Sequence, residues 1–137
     1  MSFIGNLGRA FRAVNEGRAT AHAHRTAEAF LGAPLPSGVA EEGFRIVGPM
    51  ADFSSVEEMA MIYVIIYAEQ RKAYLDGVNA TKEFRGKIAR QVANACIALA
   101  NLQRGGERFN SMWTIRLINA ARGCGVKVDH PKIAFKV

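Results

Sequence analysis

Met59-Ala60-Met61-Ile62-Tyr63-Val64-Ile65-Ile66-Tyr67-Ala68 runs for ten residues without a charged side chain. Its flanks are helical. Ser55-Val56-Glu57-Glu58 has the pattern of a capping box, an acceptor hydroxyl followed three residues on by a carboxylate. Glu57 and Glu58 suit the positive end of a helix dipole, and Arg71 and Lys72 suit the negative end. Asp76-Gly77 supplies a stop. A helix over about 55–76 whose middle is apolar on almost every side must be enclosed by other elements. Ten residues fall short of the ~20 needed to cross a bilayer. The run is therefore predicted to be the centre of a helical core. Tyr63, Tyr67 and Tyr74 lie roughly on one stripe and read as core and rim packing.

Helices to enclose it lie on both sides. Over 81–103, Phe84, Ile88, Val92, Ala95, Leu99 and Leu102 trace one face, and Glu83, Lys87, Arg90, Asn94 and Asn101 trace the other. Over 109–121, Phe109, Trp113, Leu117 and Ala120 share a side. Arg108, Arg116, Asn119 and Arg122 gather on another, with Met112 between them. Residues 2–16 form an amphipathic helix through Phe3, Leu7, Phe11 and Val14, opposed by Arg9, Arg12 and Glu16. The apolar phase then changes at Gly17, which predicts a break before a second helix over 18–31. Pro34, Pro36, Gly38 and Gly43 mark 33–43 as a loop. Phe44-Arg45-Ile46-Val47 alternates, as do Val126-Lys127-Val128 and Ile133 to Val137, so short strands are expected there. The fold class is mainly α, a four- to five-helix bundle with a small β element at residues 44–47 and 126–137. Residues 1–32 would form an N-terminal helical arm, and residues 33–137 a helical core domain.

The chain has 137 residues, enough to bury roughly 65–70% of its unfolded surface without a disulfide or metal. Cys96 falls inside a helical run and packs as a small hydrophobe. Cys124, in Arg122-Gly123-Cys124-Gly125, reads as a loop cysteine, with a reactive thiol as the alternative. Two cysteines make no disulfide framework, and a reducing, cytoplasmic compartment is expected.

Charge is sorted along the chain. Residues 1–40 hold four Arg and two Glu, residues 41–76 hold seven acids and three bases, and residues 77–137 hold eleven bases and three acids. The segments carry +2, −4 and +8, within an overall +6. The basic end should face something anionic.

Catalytic templates are not met. His22 and His24 stand at i, i+2, where a helical metal pair needs i, i+4. Gly105-Gly106 is followed by Glu107, unlike a phosphate loop, and Gly123-Cys124-Gly125 follows a helix where a dinucleotide fingerprint follows a strand. No cofactor, metal or catalytic residue is assigned. The leading expectation is a non-catalytic accessory protein docking on a larger assembly or an acidic protein surface. Phe3, Leu7 and Phe11 would supply one contact, and Arg104, Arg108, Arg116, Asn119 and Arg122 the other. One alternative is nucleic-acid binding by the 81–103/109–121 hairpin, with the second helix in a groove. A small cofactor-independent enzyme is another. A homo-oligomer interface is a further use for the N-terminal helix, and a membrane surface is disfavoured.

Overall fold

The computed structural model describes the backbone of residues 3–128 and the side chains of residues 17–128. Five helices follow in order: α1 (Phe3–Leu31), α2 (Ser37–Val47), α3 (Val56–Gly77), α4 (Lys82–Arg104) and α5 (Ser111–Gly123), with a 3-10 turn at Gly48–Met50 between α2 and α3. α3 is the axis, and α1, α2, α4 and α5 all pack on it. All ten residues from Met59 to Ala68 are buried, none more than 3% exposed. That enclosure is what their lack of a polar side requires.

The start of α3 is built as its sequence implies, with one difference, whereas its end has no glycine cap: Gly77 is the last helical residue and extended Val78 follows as the cap. Ser55 Oγ accepts the Glu58 N–H at 3.1 Å, which is the first half of a capping box. The Glu58 carboxylate does not return to the start of its own helix. It accepts the Asn110 N–H at 3.0 Å, at the entry to α5. Ser55 also donates to Glu107 at 2.7 Å, so two hydrogen bonds tie the start of α3 to the α4–α5 turn. At the far end Arg85 of α4 donates to the carbonyls of Leu75 and Val78 and fixes the α3–α4 connection. Tyr67 donates to Gln91 and links α3 to α4.

α4 buries Ile88, Val92, Ala95, Cys96 and Leu99 and exposes Glu83, Lys87, Arg90, Asn94 and Asn101, as the periodicity predicts. Thr81 caps it by accepting the Phe84 N–H. The second half of α1 buries Ala23, Ala27 and Leu31 in the same core as Leu35 and Val39. Gly32, with φ +69°, ends α1; its N–H and that of Ala33 both reach the Glu28 carbonyl.

Three expectations fail. α1 runs unbroken through Gly17. One glycine costs about 1 kcal/mol of helix propensity but leaves the backbone hydrogen bonds intact, and Thr20 donates to the Gly17 carbonyl within that turn. The loop expected over 33–43 is helical from Ser37. Pro36 stands just before the first helical residue, where its fixed φ and missing N–H are tolerated. The strand expected at 44–47 is the last turn of α2. Its side chains follow a helical stripe, with Val39, Gly43 and Val47 buried at i, i+4, i+8, while Phe44 is 55% exposed. Gly43 is what admits α2 to the core, because its backbone rests on the Tyr63 ring. Residues 126–128 are irregular, so no strand occurs among the described residues. The strand expected over 133–137 lies outside them.

Candidate functional site

α5 is short, and its two faces differ sharply. Asn110 caps it, its side chain accepting the Met112 N–H at 2.9 Å. Thr114, Leu117, Ile118, Ala120 and Ala121 are buried against the bundle. Met112, Ile115, Arg116, Asn119 and Arg122 occupy the other face, at i, i+3, i+4, i+7 and i+10. Met112 is 67% exposed and Ile115 41%. Two large apolar side chains therefore share a solvent-facing stripe with two arginines and an asparagine.

The arginines differ in what they can still do. Arg116 grips both oxygens of Glu69 on α3, at 2.9 and 2.7 Å, and its guanidinium lies 5.5 Å from the centre of the Trp113 ring. The Glu69 carboxylate holds the Arg116 pKa above its ordinary value. Its fork of donors is committed to that carboxylate. Among the described residues Arg122 makes one hydrogen bond, at 3.3 Å to the Val128 carbonyl, and it is exposed. Asn119 is exposed. Arg104 donates to Asn101 at 2.8 Å on the last turn of α4, and Arg108 is exposed in the turn before α5.

The fold thus brings Arg116, Asn119 and Arg122 onto one face and leaves Arg104 and Arg108 at the α4–α5 turn. Ser111 to Arg122 alone spans about 17 Å of helix axis at ~1.5 Å per residue. The side chains of Phe3, Leu7 and Phe11 lie outside the described residues. Ile115 escaped the sequence-based site; its signal was a position off the Phe109–Trp113–Leu117 side.

A second feature lies where α5 ends beside the start of α4. Lys82, Glu83, Arg85, Gly86, Ala89, Arg90, Cys124 and Gly125 line an open groove of about 660 Å³. Cys124 is no activated thiol. It is buried, its Sγ donates to the Ala68 carbonyl at 3.1 Å, and burial pushes its pKa up to about 11 against the smaller opposing pull of Lys72. Cys96 is likewise pushed up by burial, to about 12.

The charge separation seen along the sequence persists in space. Glu42 pairs with Arg45, Glu69 with Arg116 and Asp76 with Lys72, so three of the seven acids of the middle segment are neutralised internally. Among the described residues, Lys82, Lys87, Arg90, Arg108 and Lys127 form no ion pair. Unpaired positive charge thus sits on α4, the α4–α5 turn and the chain beyond α5, and also on α1 at Arg18 and Arg25.

The chain matches no family model, no curated protein and no solved structure. Among the described residues, no three His, Cys, Asp or Glu side chains are grouped to hold a metal ion, and no helix is long and apolar enough to cross a membrane.

Proposed function

We propose that this chain is a non-catalytic accessory protein that docks on a larger protein partner through the exposed face of α5. The observation that carries this is the exposure of Met112 and Ile115 beside Asn119 and Arg122 on one rigid helix face. Apolar anchors supply affinity once desolvated, and the surrounding cations supply orientation and association rate towards an acidic surface. The apolar positions of the N-terminal helix, Phe3, Leu7 and Phe11, provide a second contact in this reading. A nucleic-acid-reading α5 is less well supported. Arg116 would be the central base- or phosphate-contacting residue, and its bidentate edge is held by Glu69.

Size-exclusion chromatography with light scattering, at low and high salt with A260/A280 recorded, separates these readings. A protein free of nucleic acid at both salts is the expected result. Nucleic acid that co-purifies at low salt and leaves at high salt would overturn it, because counterion release makes phosphate contacts steeply salt-dependent.

A further inference from the structure

Several glycines stand inside the helices, and the packing around them differs. A glycine inside a helix costs about 1 kcal/mol relative to alanine. At Gly43 the reason is packing, since a Cβ would lie 2.3 Å from two carbons of the Tyr63 ring. At Gly123 a Cβ would lie 2.5 Å from the Lys72 chain. At Gly86, four residues into α4, the nearest atom to a Cβ would be Arg90 Nη1, at an ordinary 3.4 Å. As at Gly17 and Gly38, neither packing nor backbone conformation calls for a glycine there. Gly86 lines the 660 Å³ groove and adds no side chain to it.

We propose that this groove, between the first half of α4 and the end of α5, seats an extended acidic segment of a partner protein. Among the described residues, three cations, Lys82, Arg85 and Arg90, line it against one acid, Glu83. Arg85 already donates to the carbonyls of Leu75, Val78 and Ala80, so it holds the wall in place. Lys82 and Arg90 form no ion pair among the described residues and are the cations left for a ligand. Exposed Lys87 and Lys127, near the lining residues in the chain, extend the positive field around it. Gly86, Ala89 and Gly125 in its lining are small-sided, which lets a peptide backbone approach closely. The volume lies within the ~300–1,000 Å³ of ligand clefts. Among the described residues no aromatic side chain lines the groove, so they offer no stacking platform of the kind that single-stranded nucleic acid uses. The occupant shares with the α5 reading only the premise of a protein partner; the surface is a different one.

The test uses the full chain and a fluorescein-labelled decapeptide of alternating Glu and Ala, followed by anisotropy, with labelled decathymidylate as the competing chemistry. Saturable binding of the peptide is expected, weakened about ten-fold or more by Gly86→Leu and by Lys82→Ala with Arg90→Ala. The two surface replacements do not depend on how the helix tolerates leucine. Amide shifts on titration should centre on residues 82–90 and 125. Absence of peptide binding, unaltered binding by these variants, or tighter binding of decathymidylate would overturn the proposal. Shifts centred on residues 111–122 would also overturn it while leaving the α5 docking face standing.

Discussion

Gly43→Ala and Gly86→Ala are one chemical change made inside two helices, and stability should move in opposite directions. Helix propensity alone favours alanine at both sites by about 1 kcal/mol. At position 43 the new methyl would stand 2.3 Å from Cδ1 and Cε1 of Tyr63, where carbon atoms pack at about 3.5–4.0 Å. Tyr63 is buried, so displacing its ring disturbs the packing around it. Overpacking a core costs about 1–3 kcal/mol, and an overlap exceeding 1 Å argues for the top of that range. The net expectation is a loss of about 2 kcal/mol. At ~2.1 cal/mol/K per residue of unfolding entropy, that lowers Tm by about 7 °C in a chain of 137 residues. At position 86 the only close atom ends a flexible arginine, so the propensity gain survives and Tm rises by about 2–4 °C. Thermal and urea unfolding followed by circular dichroism read both variants. The loss at 43 should shrink in a Tyr63→Leu background, where the ring is gone. A Gly43→Ala protein as stable as its parent would refute the packing of α2 on α3.

The contrast between these glycines also shows what could be read from the sequence. The Met59–Ala68 run and the 3.6-residue stripe of α4 depend on burial averaged over many residues, and both are legible without coordinates. α2 was not, because two prolines and two glycines over 34–43 outweighed the i, i+4, i+8 spacing of Val39, Gly43 and Val47. Gly43 looks like a loop residue until the facing Tyr63 ring is known. Four residues of apparent alternation at 44–47 are too few to separate a strand from one helical turn. The exposed stripe of α5 was half legible: Arg116, Asn119 and Arg122 share a face by spacing alone. That Glu69 occupies Arg116 is a contact across 47 residues that no local pattern encodes. The groove at Gly86 joins α4 to the turn after α5 and is a property of tertiary packing alone.

Other consequences follow from single contacts. Ser55→Ala removes both the cap on Glu58 and the hydrogen bond to Glu107, and should lower stability by about 1–2 kcal/mol in urea unfolding. Ile65→Ala, at a fully buried position on the central helix, should cost about 2–5 kcal/mol with an unchanged denaturant slope. The thiols of Cys96 and Cys124 are pushed up to about 12 and about 11, from an ordinary 9.0. Their contribution is therefore complete below about pH 9 and is lost as pH rises from there towards the folded values, because the unfolded chain ionises first. Urea midpoints should fall more steeply above pH ~9 in the parent than in a variant with both cysteines replaced by alanine, and equal slopes would contradict the burial of the thiols.

The docking role of α5 is tested most directly by a photo-crosslinking residue placed at position 115, with the same residue at 97 as control. Ile97 is 59% exposed on α4, so both sites are open to solvent and differ chiefly in the surface around them. In native cell extract, position 115 should give a discrete protein adduct that is resistant to nuclease and lost with Arg122→Glu, and position 97 should not. Equal adducts from both positions, no adduct at 115, or a nuclease-sensitive adduct would contradict a protein-docking face on α5.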